Sequence, residues 1–121
     1  MMKILIGTPI HQDKDHCLEK WLENVSRLKY STDLLMVDSS PGLEYLTRAK
    51  TYCRKYDIAN YRLKHLDVNQ AQPAAEMVGR SWEIIRQYLL SHHYDAWFAL
   101  ECGQLVSANT LNELVRLMQT C

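Results

Sequence analysis

Glu101 is the residue in this 121-residue chain whose setting asks most clearly for chemistry. It follows Ala96-Trp97-Phe98-Ala99-Leu100, a short apolar run with the pattern of a strand buried on both faces, and it opens the turn Glu101-Cys102-Gly103-Gln104. A carboxylate delivered from a buried strand into a glycine turn needs water, a partner or a cation. Other apolar runs deliver polar residues in the same way. Ile4-Leu5-Ile6 leads to Gly7-Thr8-Pro9, and Leu34 to Val37 leads to Asp38-Ser39-Ser40-Pro41-Gly42. Asp38 can serve a ligand there, or cap the next helix and accept loop amides, as Asp after a strand often does. Cys102 shares the turn with Glu101, but no positive charge adjoins it in sequence, which argues against a thiolate nucleophile. His11 and His16 lack a Cys or His partner at finger-like spacing, so no zinc site is expected from them.

These residues need strands that stop where the polar turns begin. The apolar patterns predict strands over Lys3 to Thr8, Leu34 to Val37, Tyr61 to Leu66 and Ala96 to Leu100, the third alternating in the manner of an edge strand. Leu18, Trp21, Leu22, Val25 and Leu28 recur at helical spacing behind Asp13 or Asp15 as cap. A second helix is predicted from Pro41, with Ser40 as cap, to about Tyr56, burying Leu43, Leu46, Ala49 and Cys53. A third runs from Pro73 to about His92 on Ala74, Met77, Val78, Trp82, Ile85, Tyr88 and Leu89. The last carries Leu111, Leu114, Val115 and Met118, with Thr110 and Glu113 at capping-box spacing. The order βαβαβαβα predicts an α/β, Rossmann-like parallel sheet in the order three, two, one, four, with helices on both faces. Ligands then collect outside the carboxyl ends of the strands, where Thr8, Asp38 and Glu101 should converge.

Composition excludes several classes. Lys and Arg number 14 against 14 Asp and Glu, so there is no net positive field for a polyanion and nucleic acid is not an expected partner. The four cysteines form no CxxC pair, which predicts reduced thiols. No apolar run approaches the roughly 20 residues that span a bilayer. Met1 to Gly7 is too short for a signal sequence. The expectation is one cytoplasmic domain over residues 1–121 with no membrane segment.

Taken together, Ile4-Leu5-Ile6-Gly7-Thr8-Pro9, Leu35-Met36-Val37-Asp38-Ser39-Ser40 and Phe98-Ala99-Leu100-Glu101-Cys102-Gly103 resemble the nucleotide-binding half of a family two glycosyltransferase of the GT-A fold. Ser107 to Leu114 is similar to that family's stretch after the metal motif. The resemblance implies a nucleotide-diphosphate sugar as ligand, with Thr8, Pro9 and Asp38 holding the nucleoside and Arg80, on the long helix, contacting the donor. It places Glu101 at the position of the divalent metal, Mn or Mg. Gly103 stands where the family has the motif's final acid, so metal binding is expected to be weak or absent. The family's acceptor-binding half has no counterpart in the sequence. The expectation is therefore a truncated GT-A domain that binds donor but does not itself transfer hexose, with a free edge on the fourth strand open to pairing with a second copy. The alternative is a non-catalytic α/β interaction or oligomerisation module on the same scaffold.

Overall fold

In the computed structural model, which describes residues 2–119, the strands are β1 (Ile4–Ile10), β2 (Asp33–Asp38), β3 (Tyr61–His65) and β4 (Ala96–Phe98). The helices are α1 (Asp15–Ser26), α2 (Glu44–Lys55), α3 (Ala74–Ser91) and α4 (Thr110–Gln119), and a 3-10 turn at Gln12–Lys14 leads into α1. Every ladder is parallel and the order is β3-β2-β1-β4. This is the α/β sheet the sequence predicts. The interior strands β1 and β2 read as continuous apolar runs because helices cover both of their faces.

Alternation along the strands divides the core. Ile6, Ile10, Leu34 and Met36 pack with Leu18, Trp21 and Leu22 of α1, Tyr45, Ala49 and Cys53 of α2, and Leu111 of α4. Leu5, Leu35 and Val37 face the other way, onto Ile85 and Tyr88 of α3. Side chains two apart on a strand share a face, so a polar residue at the strand's end inherits the face of its apolar predecessors.

Several boundaries differ from the sequence expectation. α2 starts at Glu44, not Pro41, because Gly42 has φ +68 and breaks the chain into a left-handed turn before any helix can form. Its buried stripe is consequently Tyr45, Ala49 and Cys53, while Leu43 is left 60% exposed. β4 stops at Phe98 because the Leu100 N–H turns back to Phe98 O at 2.9 Å, and its three residues are half-buried rather than buried on both faces. Neither Asp13 nor Asp15 caps α1 through its side chain. His11 caps the preceding 3-10 turn, and Asp15 instead accepts hydrogen bonds from Arg48 (2.9 Å) and Tyr52 (3.2 Å) of α2. The capping box expected at α4 does not form: Glu113 turns to Arg116 at 2.8 Å. Leu114 and Met118 are exposed, and only Leu111 and Val115 of that helix are buried.

Candidate functional site

All four strands end at one side of the molecule, and hydrogen bonds knit together the loops that follow them. The Ser39 N–H donates to Ile10 O at 3.2 Å and the Gln12 N–H to Ser40 Oγ at 2.8 Å, joining the loops after β1 and β2. The loop after β3 joins through the Leu66 N–H, which donates to Asp38 O at 2.7 Å. It joins again through Gln70, whose Nε2 donates to Ser39 O at 2.8 Å and whose Oε1 lies 3.0 Å from His11 Nε2. His11 Nδ1 accepts the Asp13 N–H at 3.1 Å. In the neutral ring the proton is therefore on Nε2 and is donated to Gln70. The loop after β4 is tied in by the Cys102 N–H, which donates to Thr8 Oγ1 at 3.3 Å.

Between the end of β1 and the first turns of α3 these loops enclose a cavity of about 160 Å³, walled by Pro9, Ile10, His11, Ser39, Met77 and Val78, with Asp13, Lys14 and Ala74 completing it. Pockets that enclose a drug-sized ligand measure roughly 300–1,000 Å³, so this one suits a single ring with the rest of the ligand outside.

The residues singled out from sequence fall into distinct places. Pro9 lines the cavity. Thr8 is fully buried, and its hydroxyl fastens the loop after β4 to β1. Asp38 is also fully buried, on the face of Leu34 and Met36, away from the cavity on the α3 side. One of its oxygens accepts the Ser40 N–H at 3.0 Å and the other the His65 Nδ1–H at 3.2 Å. Its carboxylate thus holds the Ser39-Ser40 wall from behind and does not line the cavity. Arg80 lies on α3 three residues beyond Met77, exposed and without an ion partner among the described residues. It pairs with neither Glu76 nor Glu83, since Glu83 is taken by Arg86 at 2.9 Å.

Glu101 is exposed in a turn closed by Gln104, whose Oε1 accepts the Glu101 N–H at 3.1 Å and whose own N–H returns to Glu101 O at 3.0 Å. Among the described residues no group of three His, Cys, Asp or Glu side chains could hold a metal ion. Glu101 brings one carboxylate to the turn and Gly103 brings none. Next to it, burial pushes the Cys102 thiol up to about 12; the neighbouring Cys17 and Asp15 push the same way, and the Lys14 ammonium draws it partly back. Such a thiol stays protonated at neutral pH and is no nucleophile. Cys17, Cys53 and Cys102 are free thiols; Cys121 lies outside the described residues.

His11, Ser39, Gln70 and His65 carry much of this geometry and were not singled out as site residues from sequence. In sequence His11, Ser39 and Gln70 show only as members of polar turns after strands, and His65 only as the last residue of β3. Their partners are remote, Gln70 being 59 residues from His11. Met77 and Val78 belong to the apolar stripe that marks α3, and it is the approach of α3 to β1 that makes them a cavity wall.

The fold is that of glycosyltransferase structures. The chain superposes on a mannosyltransferase, PcManGT from Pyrobaculum calidifontis in complex with GDP-Man and Mn2+, with a TM-score of 0.72 at 12% identity, covering 95% of this chain and 32% of that one. It superposes on S. aureus TarS 1–349 with a TM-score of 0.66 at 12% identity, covering 98% of this chain and 33% of that one. For a second structure of S. aureus TarS the TM-score is 0.65 at 14% identity, with 98% and 20% covered. The chain thus spans a third or less of the length of these three structures. No protein-family model matches it, nor does any curated protein. Among the described residues no helix is long and apolar enough to cross a membrane.

Proposed function

We propose that this chain forms the donor-binding domain of a glycosyltransferase, with a nucleotide-diphosphate sugar laid across the carboxyl ends of β1 and β4. The observation that carries the reading is the apolar cavity beside Pro9, at the carboxyl end of the strand between whose two neighbours the chain order reverses. Doubly wound sheets bind nucleotides at that point. The base ring occupies the cavity against Pro9, Met77 and Val78, with His11 and Ser39 at its polar wall. Arg80 is free to meet the phosphates, because among the described residues no carboxylate holds it. Glu101, exposed beyond the end of β4, can accept hydrogen bonds from sugar hydroxyls. Thr8 and Asp38 act through the backbone, fixing the two turns between which the ligand lies. Transfer of the hexose by direct displacement, as an activity of the whole protein, belongs to the same proposal.

The reading is tested by calorimetry with uridine and guanosine diphosphates and their sugars. The expected dissociation constant is roughly 0.1–1 mM, or about 4–5.5 kcal/mol. Val78→Glu, a change at a position already 42% exposed, should abolish binding without unfolding the chain. A folded sample that binds no nucleotide at millimolar concentration would leave the non-catalytic interaction module as the better description.

A further inference from the structure

We infer that Lys14 supplies the positive charge that offsets the diphosphate, so that nucleotide binding here needs no divalent cation. The inference rests on the donor-site reading above and adds how that site handles charge. A diphosphate brings several negative charges to a turn that already carries Glu101, and like charges at short range oppose binding unless a cation lies between them. Among the described residues no three His, Cys, Asp or Glu side chains gather there. Gly103, at φ +106, leaves the turn without its second acid. A cationic side chain can supply the compensating charge.

Lys14 is placed for that role. It lines the cavity together with Pro9 and Met77. Its field also reaches Cys102, the neighbour of Glu101. It thus brings a positive charge to the wall of the base-sized cavity. Its ammonium is exposed and has no carboxylate partner among the described residues, as is true of Arg80 on α3, whereas Arg48 is held by Asp15 at 2.9 Å and Lys55 by Glu19 at 2.6 Å. Asp13, its neighbour, is turned to His11 at 3.5 Å. A lysine is a compact point charge on a flexible stem, suited to phosphate oxygens whose positions shift with the ligand.

Calorimetry on the full chain at fixed ionic strength decides the matter, using uridine, guanosine and their diphosphates, each with a chelator or with manganese. With chelator present, a diphosphate should bind about tenfold tighter than its nucleoside, and manganese should change its affinity by less than about threefold. Lys14→Gln should bring the diphosphate to within about threefold of the nucleoside, and Lys14→Arg should keep the preference. Melting temperatures show that the variants fold. A diphosphate preference that appears only with manganese overturns the inference, as does a preference that survives Lys14→Gln or that is lost in Arg80→Gln alone. Those outcomes leave nucleoside binding, and with it the donor site, standing. Failure of the folded chain to bind nucleoside and nucleotide alike overturns both readings.

Discussion

The Asp38 carboxylate lies 3.2 Å from His65 Nδ1, directly across the β2–β3 ladder in which the two residues are paired, with the Asp38 side chain fully buried and that of His65 17% exposed. An acid placed there has no water to turn to, so its two oxygens need the partners they have. The pair closes the carboxyl end of the sheet, and the Ser40 N–H bonded to the other oxygen sets the turn that walls the cavity.

Asp38→Ala removes both acceptors and leaves a buried N–H unpaired. The expected loss is about 1–3 kcal/mol in urea denaturation, the usual cost of an orphaned buried donor. Nucleotide affinity should fall as well, because the Ser39-Ser40 wall loosens. Unchanged stability would mean that the loop finds other partners and that Asp38 does not hold it.

Gly7 marks the closest approach of β1 to α3. A Cβ there would stand 2.5 Å from Ile85 Cγ2 and 3.1 Å from Trp97 Nε1. Isoleucine branches at Cβ and has one good rotamer on a helix, so it cannot swing aside. Gly7→Ala should therefore push α3 outward, destabilise the fold by about 1–3 kcal/mol and deform the cavity between β1 and α3. Denaturation midpoints equal to those of the parent chain would show that the helix gives way freely.

Gly103 is constrained by its backbone and not by space. Its φ is +106, yet an added Cβ would meet only Cys17, with Sγ at 3.6 Å and Cβ at 3.9 Å, both ordinary contacts. Gly103→Ala and Gly103→Asp should each cost about 1–2 kcal/mol. Gly103→Asp should in addition give nucleotide binding a manganese-dependent gain that Gly103→Ala does not, since it returns a second carboxylate to the turn. Titrations of both folded variants with and without manganese test this, and equal responses would refute it.

Alkaline pH should unfold the chain early. Burial raises the Cys53 thiol from 9.0 to about 11, and chiefly burial raises Cys102 to about 12 and lifts the Tyr45 and Tyr94 phenols above their ordinary range. Each group holds its proton more tightly folded than unfolded. The thiol contribution is thus fully present below pH 9 and is lost as pH rises toward 11 and 12. Urea melts from pH 8 upward should show stability falling past pH 9, together with slow alkylation of Cys53 in the native state; a flat profile would contradict the burial of these groups.

The sequence by itself determined the parallel sheet, its strand order and the end at which polar residues gather. Apolar runs of the right period, closed by Gly7-Thr8-Pro9, Asp38-Ser39-Ser40 and Glu101-Cys102-Gly103, carry that information locally, and the right-handed crossover rule does the rest. What each polar residue does there was decided by tertiary structure. Strand parity and burial turn Asp38 toward His65 and away from the cavity, a relationship between residues 27 apart that no local pattern encodes. The φ of Gly42 moved the start of α2, and with it the exposure of Leu43, because one left-handed residue outweighs the preference of Pro41 for a helix start. The cavity exists only where α3 settles against β1 with Gly7 beneath Ile85, and Lys14 gains its position there from a 3-10 turn capped by His11. Such contacts depend on how whole elements pack, so they become visible only once the sheet and helices are in place.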